Sequence, residues 1–356
     1  MYKKQKPYQQ PWLYHRFIEG VFILLPPFIC LLLIAVFPHY FKSKEVNEFN
    51  WVVLVLLIDV AHVYSTLYRT YFNKQMWQQS RTILYVIPMV AFLVSVLVYN
   101  LSSFWFWRIM AYVAVFHFIR QQYGFMRLYS RNEVQTKLAI FIDKLVIYYA
   151  TIYPIIFWHL SNDRSFSWFV EGDFVLFKSN FLLDTFTVLY FLTLVIYVAK
   201  TLIEVVKTKA INLPKQLIIL GTLVSWYFGI VYFNGDLTFT LLNVVSHGVP
   251  YMALVWIYEK KQHNKNPSSI STINKKVFGK YGVMLFIAII ILLAYAEEAF
   301  WDILVWGENK RIFHFFNEPL FNPSHQLLSF IVPLLALPQI THYIIDGFIW
   351  KVKKAE

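Results

Sequence analysis

Apolar stretches close to twenty residues long recur along the whole chain, at roughly 18–38, 50–72, 82–100, 103–127, 138–160, 181–206, 214–234, 237–258, 279–299 and 326–350. A helix needs about 20 such residues to cross the hydrocarbon of a bilayer. Repeated runs of this length leave few alternatives to an all-α, polytopic integral membrane bundle, because only helices and closed barrels satisfy their backbone polar groups in lipid. We therefore expect about ten transmembrane helices in a single transmembrane domain over 1–356. Composition agrees: 58% of the 356 residues are hydrophobic and only 15% charged, against about a quarter charged in soluble domains.

The charges that remain give an orientation. Lys3, Lys4, Lys6 and Arg16 precede the first span, and Lys74 and Arg81 follow the second. Arg127, Arg131 and Lys137 join the fourth to the fifth, while Lys200, Lys207, Lys209 and Lys215 surround the sixth-to-seventh link. Lys260, Lys261, Lys265, Lys275, Lys276 and Lys280 fill the eighth-to-ninth, and Lys351, Lys353 and Lys354 end the chain. The alternate connections balance or favour acid: Lys42 and Lys44 meet Glu45 and Glu48, and the last holds Glu297, Glu298, Asp302, Glu308 and Glu318 against Lys310 and Arg311. With ten spans every basic connection falls on one side, which puts both termini in the cytoplasm. The net charge of +12 then needs no nucleic-acid partner, since anionic lipid meets it. A lone cysteine, Cys30, excludes intrachain disulfides and thiolate-rich metal sites. No small-residue cleavage site follows the first polar dozen residues, so no removed signal peptide is expected. The 261–276 segment reads as a polar loop, and the aromatic 301–325 connection as an interfacial lid.

Against this apolar background a few ionisable groups stand out, and an ionisable residue inside a membrane helix is a functional hypothesis by default. Gln339, His342 and Asp346 share one helical face in the last span. Three earlier spans repeat the pattern: Asp59 with His62, His117 with Gln121, Asn243 with His247. All four histidines lie on even-numbered, parallel spans, at depths that differ by about 9 Å at 1.5 Å per residue. Histidines at a common depth can converge. A ligating imidazole donates its other N–H to a carboxylate or carbonyl that fixes its orientation, and each of these histidines has such a neighbour. The expected metal ligands are thus His62, His117, His247 and His342, with Gln121, Asn243, Gln339 and Tyr343 in support. Asp59, Asp346 and Arg120 are the candidate catalytic groups, the two aspartates being either ligands or anchors. Asp59-Val-Ala-His62 has the carboxylate-x-x-histidine spacing of bundle di-metal sites, so one or two ions are compatible. The bland alternative is that each histidine only hydrogen-bonds a neighbouring helix, most evenly matched for His247. The other histidines, His15, His39, His159, His263, His314 and His325, lie in loops or near span ends and are expected to be solvated. Asp143 is expected to pair with the neighbours of Lys144, or with Arg69 or Arg120. Tyr64, Tyr68 and Tyr71 around Arg69 are read as packing or as a polar route to the site.

Imidazoles with carboxylates and no thiolate suit iron, zinc, copper or manganese. An aromatic-lined interior open to lipid favours non-haem iron and O₂ chemistry on a lipophilic substrate. The HxxxH and HxxHH clusters of membrane desaturases are absent. In layout, helix-borne His62, His117, His247 and His342 in a polytopic chain resemble the bacterial carotene-cleaving oxygenases of the Brp/Blh kind. That resemblance implies a membrane-embedded oxygenase binding iron through four histidines, in a bacterial inner membrane or its equivalent. Three other readings compete: a bis-histidine haem electron carrier, a proton- or ion-coupled transporter with a His/Asp relay, and a lipid glycosyl or phosphoryl transferase.

Overall fold

A computed structural model describes residues 9–42, 45–162, 164–265, 272–279, 282–313 and 323–350. The basic termini, the centre of the polar loop (266–271) and residues 314–322 of the expected lid lie outside the described residues. Among the described residues every regular element is helical. Seven helices are long and apolar enough to cross a membrane: Glu48–Arg69, Lys74–Leu101, Lys137–Leu160, Asn180–Thr208, Leu213–Tyr232, Asp236–Lys265 and Gly282–Trp306. The number rises to nine if each of two bent pairs is one span, Arg16–Leu24 with Pro26–Val36 and Gln326–Leu335 with Leu337–Ile349. Expected span 103–127 is a helix too, Ser103–Tyr129, but it falls short on hydropathy because Arg108, Arg120, Arg127 and paired glutamines interrupt it.

Local sequence explains the boundaries. Asn73, Thr136, Ser179, Asn212 and Ser324 each cap a helix by accepting a backbone N–H three residues on. Pro26 and Pro27 restart the chain after Leu25, where the first pair bends by 56°, and Pro338 opens the last helix after a 43° bend. A proline in the first turn loses no hydrogen bond there and cannot extend the preceding helix. Along Lys74–Leu101, large apolar side chains including Tyr85, Met89, Leu93 and Leu97 remain exposed. Continuous apolar rows facing outward are what a lipid-facing helix requires, and no soluble surface tolerates them over such length.

The described chain forms two compact units. The first comprises 1–42, 118–165 and 175–246. Its interior holds charge as well as hydrocarbon. Asp143 accepts from Lys200 Nζ at 2.7 Å, Lys215 Nζ at 3.2 Å and Gln135 at 2.6 Å, and Lys215 also reaches Glu133 at 2.8 Å. This corrects two expectations from the sequence. Lys200 and Lys215 are buried rather than left to meet anionic lipid, and Asp143 pairs with them rather than with Arg69, Arg120 or the neighbours of Lys144. A buried carboxylate needs that company, because an unpaired charge is costly there.

The second unit comprises 43–117, 166–174 and 247–356. Tyr68, Tyr251, Val255, Phe278, Phe286 and Ile290 pack one of its cores. Further along the same helices Arg69 meets Glu259 at 3.3 Å, and its guanidinium lies 3.7 Å over the Tyr258 ring. Asn73 also donates to Glu259 at 3.1 Å, so one buried carboxylate ties the His62 helix to the His247 helix.

Candidate metal centre

All four histidines singled out in the sequence belong to the second unit. His62 lies on Glu48–Arg69, His117 on Ser103–Tyr129, His247 on Asp236–Lys265 and His342 on Leu337–Ile349. Each is at most 4% exposed. One ring nitrogen from each lies within 4.8 Å of those of the other three. The rings follow one another edge to face around a closed circuit. Centroids are 4.7 Å apart for His62 and His247, 5.0 Å for His247 and His117, 4.5 Å for His117 and His342, and 5.0 Å for His342 and His62. Across the first pair the two Nε2 atoms are 3.1 Å apart.

Backbone features allow this closeness. The His62 helix is π-helical from Val52 to Val60, just before the histidine, and such widened turns are frequent at functional sites. Gly248 follows His247. A Cβ there would stand 2.9 Å from Ile58 Cγ2, 3.2 Å from the Ile58 carbonyl oxygen and 3.5 Å from His62 Cβ. The two helices reach this separation because position 248 carries no side chain.

The outer nitrogens face polar groups. Asp59 lies 3.7 Å from His62 Nδ1. Asp346 lies 3.9 Å from Nδ1 of both His117 and His342. Thr66 Oγ1 is 2.7 Å from His342 Nδ1 and 2.9 Å from the Tyr251 hydroxyl, which donates to Asp346 Oδ1 at 2.5 Å. Among the described residues, the group able to share one ion is the four histidines. Both aspartates lie outside that group, on the Nδ1 side of the rings. His342 Nε2 is buried with no hydrogen-bond partner among the described residues, a costly position for a polar atom unless something binds it.

The supporting residues divide. Tyr343 lies against the His117 ring, centroids 4.9 Å apart. Gln339 and Gln121 are half-buried. Asn243 turns its amide to the Phe239 carbonyl one turn back in its own helix, at 3.0 Å, and packs on Gly229. Arg120 is exposed and donates to the Tyr148 hydroxyl at 2.7 Å. Thr66 and Tyr251 were not anticipated from the sequence. Each stands one helical turn after a histidine, at +4 from His62 and His247 as Asp346 is from His342, and that spacing was the available signal.

No family model, no curated protein and no solved structure matches the chain.

Proposed function

We propose that the protein is a multi-pass membrane metalloprotein, in a bacterial inner membrane or its equivalent, which binds iron through His62, His117, His247 and His342 and oxidises a lipophilic substrate drawn from the bilayer. The observation that carries the reading is the convergence of four buried imidazoles, with one nitrogen from each inside a 4.8 Å group. Metal–imidazole bonds of about 2.0–2.1 Å need only a small contraction of that group. Charge supports it too. Four neutral imidazoles leave a divalent ion's charge intact, and Asp59 and Asp346 as carboxylates would cancel it, a balance a low-dielectric interior demands. Their position behind the rings favours one ion over two, because no carboxylate lies between the histidines to bridge a pair. When bound, iron supplies the one-electron chemistry that activates O₂; zinc and copper fit the same donors.

The chain's own contribution is to hold the four nitrogens, fix the rings from behind, and exclude water with aromatic packing from Tyr251 and Tyr343. The mutual contact of the rings, edge to face at 4.5–5.0 Å, favours a bare ion over a haem, which needs a slot for the macrocycle between its axial ligands. In this reading all ten helices or bent pairs span, with Ser103–Tyr129 as the least apolar, and both termini are cytoplasmic. The test is elemental analysis of protein purified without chelators and reconstituted with iron, together with O₂ uptake in the presence of bilayer-soluble polyenes. Stoichiometric iron and substrate-dependent uptake are expected. Absence of any stoichiometric transition metal would sink the reading.

A further inference from the structure

One helical turn beyond the histidines lies a second layer, Thr66, Tyr251 and Asp346, all of them buried or nearly so. We propose that these three residues form a positioning relay that fixes the proton of His342 on Nδ1 and presents the Nε2 lone pair to the metal; the proposal rests on the metal reading above. The argument is a count of protons along a chain of hydrogen bonds. The Tyr251 hydroxyl has one hydrogen, and at 2.5 Å it is donated to Asp346 Oδ1. Toward Thr66, 2.9 Å away, the phenol oxygen can therefore only accept, so the Thr66 hydroxyl donates to it. Thr66 has then spent its own hydrogen. At its 2.7 Å contact with His342 Nδ1 it must accept, and the ring nitrogen must carry the proton. A neutral imidazole protonated at Nδ1 has its lone pair on Nε2. That is the buried nitrogen left without a hydrogen-bond partner.

The direction of the whole chain is set at its far end by Asp346, whose Oδ1 accepts from the Tyr251 hydroxyl. Were Asp346 an amide, it could donate to the phenol through its nitrogen. Every bond could then reverse, and His342 would turn an N–H toward the other three rings. His117 gains from the same carboxylate, since the second oxygen of Asp346 lies 3.9 Å from its Nδ1. One acidic group thus orders two of the four rings, one through space and one through two hydroxyls.

The experiment has two arms. In the first, apo-protein labelled with ¹⁵N-histidine is examined by solid-state NMR, with His342 assigned by its loss in His342→Gln. Wild type should show His342 protonated on Nδ1, Thr66→Ser should match it, and Thr66→Val and Tyr251→Phe should show the other tautomer or a mixture. In the second, metal affinity is measured by chelator competition. Thr66→Val and Tyr251→Phe should bind about 10–100-fold more weakly, the usual cost of losing a partner that orients a ligand, while Thr66→Ser stays near wild type. Serine keeps the hydroxyl and valine keeps the shape, so packing alone cannot produce that split. A wild-type His342 protonated on Nε2, or a tautomer unmoved in Thr66→Val, overturns the relay whatever the metal content. Wild type that binds no metal overturns the metal reading instead, and the first arm still decides the relay.

Discussion

The Nε2 atoms of His62 and His247 face each other at 3.1 Å, and Gly248 is what lets their helices come that close. Any Cβ at 248 meets Ile58, including its backbone oxygen at 3.2 Å, which cannot swing aside as a flexible side chain can. Gly248→Ala should force the helices apart by tenths of an ångström, cost about 1–3 kcal/mol, and weaken metal binding more than it weakens the fold. Gly347→Ala is the control, since a Cβ there meets nothing within 4 Å. Chelator competition and thermal unfolding, run side by side, check both. Equal metal affinity in the two variants would refute the account of Gly248.

What could be read in advance followed from the cost of polarity in lipid. A histidine in an apolar helix is conspicuous, and His62, His117, His247 and His342 stood at a common depth, so their grouping was legible from spacing alone. Thr66 and Tyr251 were not. Tyr251 is one of 24 tyrosines, so composition singles it out no more than the others, and a threonine hydroxyl in a helix usually bonds its own backbone, as Thr70 does to the Thr66 carbonyl. The Asn243 amide donates within its own helix, and the reason is geometric. Positions four before and four after a histidine are equally near it in a helix, and only the neighbouring elements decide which side is used; here Gly229 admits Asn243 on one side and Asp346 claims Tyr251 on the other. The burial of Lys200 and Lys215 was not legible because the charge rule reads which side of the membrane a residue lies on, not whether a carboxylate awaits it inside.

The Arg69–Glu259 pair is a further polar tie between the His62 and His247 helices. Glu259 is 3% exposed, and it accepts from both Arg69 and Asn73. Removing one member of a buried pair costs about 3–5 kcal/mol, because the survivor is left charged and unpaired. Arg69→Met should therefore be severe, whereas Arg69→Met with Glu259→Met should recover much of the loss. The measurement is the unfolding midpoint in mild detergent. A double variant as unstable as the single one would contradict the pairing argument.

Topology can be tested without any structure. A reporter that matures only in the cytoplasm, fused after Lys354, should be active, and so should one placed in the basic 261–276 loop. One placed in the acidic 301–325 connection should be silent. An active reporter there, or a silent one at the C-terminus, would break the ten-span count and with it the shared depth of the four histidines.

Asp346 separates an anchor from a ligand. It lies 3.9 Å from the outer nitrogens of His117 and His342 and accepts from Tyr251, behind the rings rather than among their inner nitrogens. His342→Ala deletes a ligand and should abolish stoichiometric metal and activity together. Asp346→Asn leaves all four ligands in place but loses the negative charge and the fixed direction of the hydrogen bonds, so it should bind metal about 10–100-fold more weakly. Asp59→Asn should be milder still, because Asp59 faces one ring at 3.7 Å and its side chain is a third exposed. The order His342→Ala, Asp346→Asn, Asp59→Asn, from most to least damaging in a chelator-competition assay, is what carboxylates behind the rings require. If Asp346→Asn proved as empty of metal as His342→Ala, Asp346 would be a ligand, and the ion would have to sit off the centre of the four rings, displaced toward the carboxylate.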